Sequence, residues 1–174
     1  GLSSYKPNAE FYGGSPKWLM ASVLASPKEA PTYTRGAFVI DVVNRMKNGT
    51  CFVDLCADMK GGMPDEKARC NLEKRGGFDK LAGYTWYDET LTRAEAMKVM
   101  VLAFNIPVEP EAKQPFKDVP ANAWFKPYVA AAVKDGLIKD NAGHKLKPND
   151  KTTSAWTKQV LRKADVKAMC ENAK

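Results

Sequence analysis

Three observations predict an all-α fold for this chain. Apolar residues recur at helical spacing in several segments, as between Phe38 and Met46. A threonine, which favours the N-cap position of a helix, precedes several of these segments. Arg35, Arg93 and Ser154, each directly after a threonine, lie about 60 residues apart. This near-constant period predicts three copies of one helix–loop–helix unit.

The first copy is placed at about residues 9–50. Thr34 is expected to cap a helix, and a partner helix is expected at 16–25, with Pro16 near its first turn. The inner face of the capped helix carries Phe38, Val39, Val42, Val43 and Met46.

The second copy is placed at about residues 51–107. Thr92 is expected to cap a helix, and Glu95, three residues later, completes a capping box. The buried stripe of this helix is predicted to be Met97, Met100, Val101 and Phe104.

The third copy is placed at about residues 115–170. Asp118, in an F-x-D start, can accept from free backbone N–H groups and is expected to cap a short helix beginning near Asn122. Asp54 has the equivalent position in the second copy and is given the same role. Gly136 can adopt the left-handed conformation and is expected to end the short helix.

A second helix of the third copy is expected after Thr153. The residues before it, Pro148-Asn149-Asp150, have turn chemistry. Its inner face is predicted to carry Trp156, Val160 and Ala164.

This order of features resembles the S-layer homology (SLH) family, most clearly between Phe116 and Ala164 and in the T-R-A-E signature at 92–95. The resemblance implies three tandem repeats in one compact domain over residues 1–174, packed as a three-pronged spindle about a pseudo-threefold axis. The first and third copies are degenerate in the signature, with T-R-G-A at 34–37 and T-S-A-W at 153–156.

The resemblance also implies a non-catalytic module that binds an anionic, pyruvylated secondary cell-wall polysaccharide at the cell surface. The family binds the pyruvyl ketal with the arginine of the signature, so Arg93 is the first candidate and Arg35 the second. A cation is mildly unfavourable in the first turn of a helix, but arginine there can grip a carboxylate with two parallel hydrogen bonds. A solvated arginine is the alternative.

The other candidates surround these arginines or occupy equivalent positions. Trp86 and Tyr87 lie in the loop before Arg93, and we expect them to be exposed aromatic contacts. Loop atoms from Tyr87 to Thr90 are expected to form an anion pocket with Arg93. Trp124 either stacks on a sugar or anchors a helix in the core. The remaining candidates are Thr34, Thr92, Glu95 and Ser154, the last replacing an arginine and so leaving a third pocket in doubt.

Composition and motifs exclude several function classes. A net charge of +7 favours a polyanionic partner, but the lysines are scattered, which disfavours nucleic acid. No apolar run approaches the ~20 residues that insert across a bilayer. The sequence has no glycine-rich phosphate loop, HExxH motif or nucleophile elbow, and His144 has no nucleophile partner by motif. We therefore predict no enzymatic activity, catalytic residue, cofactor or metal.

Four cysteines in an exported domain suggest two disulfides. The favoured pairs are Cys56–Cys70, as a local clip, and Cys51–Cys170, joining the ends of two long helices. Free buried thiols remain open, as does a zinc site, although tight C-x-x-C pairs are missing.

The chain begins Gly1-Leu2 without methionine, so we expect a mature or excised product of an exported, extracellular wall protein whose signal peptide is not in this sequence. A rival function is a scaffold that binds other surface-layer proteins and has vestigial glycan pockets. An exposed apolar patch outside the grooves would favour that rival.

Overall fold

The computed structural model describes residues 31–79 and 83–173. Helices are the regular elements of these residues, with one isolated β-bridge between Thr92 and Lys151. The all-α class is therefore confirmed for this part of the chain, whereas the three-pronged arrangement stays a prediction. The helix expected at 16–25 lies outside the described residues. In order, the elements are α1 (Arg35–Met46), α2 (Pro64–Glu73), a 3-10 helix (Tyr84–Asp88), α3 (Arg93–Ala103), α4 (Lys126–Asp135), α5 (Ser154–Leu161) and α6 (Val166–Asn172).

Threonines cap α1, α3 and α5, as the sequence predicts. In each case the hydroxyl oxygen accepts from the backbone N–H three residues later, which the helix itself leaves unpaired. The bonds are Ala37 N to Thr34 Oγ1 at 3.2 Å, Glu95 N to Thr92 Oγ1 at 3.2 Å, and Trp156 N to Thr153 Oγ1 at 3.1 Å.

Helix α4 begins at Lys126, four residues after the predicted start. Pro127 lies in its first turn, where the missing N–H costs no helical hydrogen bond. Gly136 ends the helix with φ of 87°, the left-handed conformation that the sequence predicts.

The capping role predicted for Asp118 is wrong. Its carboxylate accepts from Leu146 N at 2.8 Å and Lys147 N at 2.7 Å, so it fastens the start of the third copy to the loop before α5. These partners are 28 and 29 residues away in sequence, which is why local pattern did not reveal them.

The same role is wrong for Asp54. Its Oδ1 accepts from Cys56 N at 2.9 Å and from Asn71 Nδ2 at 2.9 Å, and its Oδ2 lies 3.6 Å from Lys67 Nζ. Asp54 therefore ties the 52–63 loop to α2 instead of beginning a helix.

The core is formed chiefly by α1 and α3, whose predicted apolar stripes are buried. Helix α1 packs against α2, the 3-10 helix, α5 and α3, and α3 packs against α4. The stripe residues are Phe38, Val39, Val42, Val43 and Met46 in α1, and Met97, Met100, Val101 and Phe104 in and just after α3.

Both predicted disulfides are present, Cys51–Cys170 and Cys56–Cys70. Cys170 lies in the short helix α6, not at the end of a long helix as expected. The reason is that α5 ends at Leu161 and a separate helix, α6, begins after its N-cap residue Asp165. The Asp165 carboxylate caps α6 by accepting from the backbone of Lys167 and Ala168. The first bridge therefore fixes α6 to the segment that follows α1.

Candidate functional site

A groove with a volume of about 400 Å³ brings together four predicted site residues: Arg35, Trp86, Glu95 and Trp124. Its lining also includes Arg69 and Lys98, neither of which we had singled out from the sequence. Aromatic faces and several cations in one groove suit a sugar that carries an anionic substituent, because the rings can contact apolar sugar faces while guanidinium groups bind the anion.

Arg35, at the start of α1, is fixed by the loop that precedes α3. Its backbone N–H donates to Glu89 O at 2.7 Å, and its guanidinium pairs with the Glu89 carboxylate. The other guanidinium end lies 3.8 Å from Glu95 Oε2, and Cζ lies 5.3 Å from the centroid of the Trp86 ring. The Arg35 side chain is 19% exposed, so a ligand in the groove has limited access to it.

Arg93 makes the corresponding contacts one copy further along the chain. Its backbone N–H donates to Asp150 O at 2.9 Å, and its side-chain Nη1 donates to Leu146 O at 2.9 Å. Its Cζ lies 5.1 Å from the centroid of the Trp156 ring. The expected pocket of Arg93 with the loop from Tyr87 to Thr90 is therefore wrong, because Glu89 of that loop pairs with Arg35 instead. The loop of one copy packs against the arginine of the preceding copy.

Arg69, on α2, forms the inner wall of the groove. It is only 3% exposed, and its Cζ lies 4.5 Å from the Trp86 ring centroid and 5.6 Å from that of Phe78. Its guanidinium donates to Glu73 at 3.0 Å and to the carbonyl of Asp79. The Arg69–Glu73 spacing of four residues is visible in the sequence, but that pattern is typical of exposed helix surfaces and gave no sign of burial.

Trp86 is part-buried and contacts both Phe78 and Tyr87 edge to face, at centroid distances of 4.9 Å and 5.1 Å. Tyr87 is only 8% exposed, so the expectation of an exposed ring is wrong for this residue. Burial raises the pKa of Tyr87. The reason for the error is that Tyr87 lies in a 3-10 helix that packs against α1, and not in an open loop.

Trp124 lies outside the core, with 56% of its surface exposed. It contacts Phe125 edge to face at 5.3 Å, and it lines the groove together with Trp86. Of the two alternatives for Trp124, the exposure favours contact with a ligand over a role as core anchor.

The remaining candidates lie at helix starts. The hydroxyls of Thr34 and Thr92 act as caps, and Glu95 Oε1 accepts from Thr92 N at 2.9 Å, leaving Oε2 nearer to Arg35. Ser154 is the first residue of α5, the position that Arg35 and Arg93 hold in α1 and α3. Ligand contact by these residues stays a prediction.

Within residues 31–79 and 83–173, no group of three or more His, Cys, Asp or Glu side chains is placed to hold a metal ion. His144 is partly exposed, and its Nδ1 lies 2.6 Å from Asp140 Oδ2. Among the helices described, none has the length and apolar character needed to cross a membrane.

Comparison with known proteins finds one family match and several bacterial surface-layer relatives. Residues 115–153 match the family model of the S-layer homology domain. Over 61 residues the chain is 41% identical to the S-layer protein sap of Bacillus anthracis and to an S-layer protein of Bacillus thuringiensis subsp. finitimus, which is 35% of this chain and 7% of each relative. Over 89 residues it is 30% identical to the surface-layer 125 kDa protein of Lysinibacillus sphaericus, which is 51% of this chain and 7% of the relative.

No solved structure matches the chain at a significant level. The matched regions span a small part of the relatives' length, and the two further copies of the repeat stay predictions. The S-layer homology domain that the sequence predicts is confirmed at residues 115–153.

Proposed function

We propose that this chain is a non-catalytic anchoring module of the bacterial cell surface that binds an anionic, pyruvylated cell-wall polysaccharide. The single observation that carries the proposal is the groove that combines Arg35, Trp86 and Trp124. The S-layer homology match and the similarity to surface-layer proteins support a location at the cell wall.

The groove can bind such a ligand through three kinds of contact. Arg35 offers parallel N–H donors to the ketal carboxylate, and a charge-assisted pair of this type is stronger than a neutral hydrogen bond. Trp86 and Trp124 offer ring surface to the apolar faces of the sugar. Lys98 and the net charge of +7 favour approach of a polyanionic chain.

Arg93 provides a second, separate position for the polymer. Its backbone bonds to the loop before α5 as the backbone of Arg35 bonds to the loop before α3, and its guanidinium lies near the ring of Trp156, on α5. Its guanidinium donates to a neutral carbonyl, so an incoming anion would not have to displace a carboxylate from it. Two positions on one module would allow a repeating polysaccharide to bind more tightly than one position alone.

The test is a calorimetric titration of the chain with purified wall polysaccharide. Arg35→Ala should weaken binding by about 10- to 100-fold, the range for losing a hydrogen bond to a charged group. Arg162→Ala is the matched control, because Arg162 is an exposed arginine just after α5 and its substitution removes the same charge. Equal losses in both variants would mean that general charge, and not the groove, binds the polymer.

A second candidate function, a scaffold for other surface-layer proteins, is favoured by one observation. Four of the five large exposed hydrophobic side chains in the described residues, Val53, Leu55, Met59 and Met63, lie in one loop outside the groove. A concentrated apolar surface of this kind is typical of an interaction site.

This apolar loop is held rigidly. The Cys56–Cys70 bridge fastens it to α2, and Asn71 and Arg75 on or beside that helix bond to the backbone of Leu55 and Val53. If the scaffold function holds, Met63→Ser should reduce self-association or lattice incorporation in sedimentation velocity measurements and leave polysaccharide binding unchanged. Unchanged sedimentation would argue against this second function.

A further inference from the structure

Glu89 occupies the position on Arg35 that a ligand carboxylate would need. Its carboxylate pairs with the Arg35 guanidinium, and the backbone of both residues is joined by the bond from Arg35 N to Glu89 O at 2.7 Å. The Glu89 backbone N–H also donates to Trp86 O at 3.3 Å. Main-chain bonds therefore hold Glu89 beside the groove whatever its side chain does.

The Glu89 side chain is 56% exposed and can leave, while the Arg35 side chain is 19% exposed and stays against Trp86. An exposed carboxylate on a flexible side chain exchanges readily with solvent, because such ion pairs contribute little free energy. The arrangement therefore permits displacement of Glu89 by another carboxylate without rearrangement of α1.

The corresponding position one copy further along has no such pair. Asp150 O accepts from Arg93 N at 2.9 Å, as Glu89 O does from Arg35 N, but Arg93 makes no ion pair within the described residues and donates its Nη1 to Leu146 O. The side chain of Asp150 is one carbon shorter than that of Glu89, and the Arg93 guanidinium donates to the neutral carbonyl of Leu146 instead. The carboxylate on the arginine is thus particular to the Arg35 groove.

We propose that Glu89 is a built-in competitor that lowers the affinity of the Arg35 groove for every carboxylate, so that a ligand needs further contacts in the groove to bind well. Binding of an anion there requires displacement of the Glu89 carboxylate, so a free small carboxylate gains little from exchanging one ion pair for another. A carboxylate attached to a sugar gains contacts with Trp86 and Trp124 in addition, and only such a ligand binds well. This inference rests on the proposed function of the groove.

The expected size of the effect follows from the exposure of the pair. Exposed ion pairs contribute up to about 1 kcal/mol, which corresponds to about fivefold in a dissociation constant. Glu89→Gln keeps the size of the side chain and its main-chain bonds but replaces a charged acceptor with a weaker neutral one. It should therefore bind a sugar-linked carboxylate about fivefold more tightly than the unchanged chain, and Glu89→Ala should do the same.

The experiment is calorimetric titration with three probes: a methyl glycoside carrying a pyruvyl ketal, the same glycoside without the ketal, and free pyruvate. Asp88→Asn is the matched control, because Asp88 is the exposed neighbour of Glu89 and its substitution changes net charge equally. Thermal unfolding of each variant checks that the fold is retained.

Tighter binding of the ketal glycoside by both Glu89 variants, with Asp88→Asn within twofold of the unchanged chain, is the expected result. Equal or weaker binding by the Glu89 variants, or an equal gain in Asp88→Asn, would overturn the competitor role while leaving the proposed function in place. Free pyruvate binding to the unchanged chain as tightly as the ketal glycoside would overturn the selectivity. If the unchanged chain does not distinguish the glycoside with the ketal from the one without it, the proposed function fails, and this inference fails with it.

Discussion

The two disulfides should differ in how much they stabilise the chain, because they close loops of very different length. Cys51–Cys170 spans a sequence separation of 119, and Cys56–Cys70 spans 14. In the chain-entropy description, a cross-link restricts the unfolded state more when its loop is longer, which gives about 5 kcal/mol for the first bridge and about 3 kcal/mol for the second.

The perturbation is replacement of each pair by serines, Cys51→Ser with Cys170→Ser, and Cys56→Ser with Cys70→Ser. Other contacts keep α6 in place when the first bridge is absent, since Asn105 Nδ2 donates to Met169 O at 3.0 Å and Arg45 Nη2 donates to Ala164 O at 2.6 Å. The loss should therefore come mainly from the unfolded state and not from a collapsed native fold.

Equilibrium unfolding in guanidinium chloride measures both variants against the unchanged chain. The Cys51/Cys170 variant should lose about 2 kcal/mol more than the Cys56/Cys70 variant. A larger loss in the Cys56/Cys70 variant would refute the reasoning and show that local packing of the 52–63 loop outweighs loop length.

Three further predictions concern single residues. Arg69→Leu should weaken binding of wall polysaccharide and lower thermal stability, because Arg69 supports the Trp86 ring and is bonded to Glu73; a variant that melts earlier but binds normally would show that Arg69 acts only on the fold. Thr92→Ala should cost about 1 kcal/mol of unfolding free energy through loss of the α3 cap, and a loss below experimental error in chemical denaturation would contradict the capping role. Hydrogen bonds from Asn71 and the Cys56 amide lower the pKa of Asp54. The stabilisation of the fold by the ionised carboxylate is therefore present above the unfolded pKa of about 4 and is lost as pH falls through the folded pKa. Asp54→Asn should therefore be less stable than the unchanged chain near neutral pH, and the difference in melting temperature should shrink below about pH 4; a pH-independent difference would contradict this.

The sequence was sufficient where structure depends on neighbours along the chain. A helix start needs only a side chain that accepts from an N–H three residues later, so Thr34, Thr92 and Thr153 could be identified as caps before their surroundings were known. The left-handed end of α4 at Gly136 is local for the same reason.

The sequence was insufficient where partners are distant. Asp118 bonds to the backbone of Leu146 and Lys147, and nothing near Asp118 distinguishes that role from a helix cap. The prediction of which residues lie together in the groove was wrong for the same reason. Arg35 contacts a loop more than 50 residues later in the chain, and its pairing with Glu89 spans 54 positions. Such contacts depend on how copies of the repeat pack together, which a single copy does not encode.

Arg69 illustrates a different limit. Arginine is almost never fully buried unless it is paired, so its sequence environment on α2 predicts an exposed side chain. The aromatic residues Phe78 and Trp86 and the Glu73 carboxylate make burial possible only once the loop folds over the helix.

The most direct test of the central claim is co-sedimentation of the purified chain with peptidoglycan sacculi, with the secondary polysaccharide either retained or removed. The account predicts that the chain sediments with intact sacculi, stays in solution when the polysaccharide has been removed, and is released by Arg35→Ala but not by Arg162→Ala. Sedimentation that persists after removal of the polysaccharide, or no sedimentation with either preparation, would contradict the anchoring function.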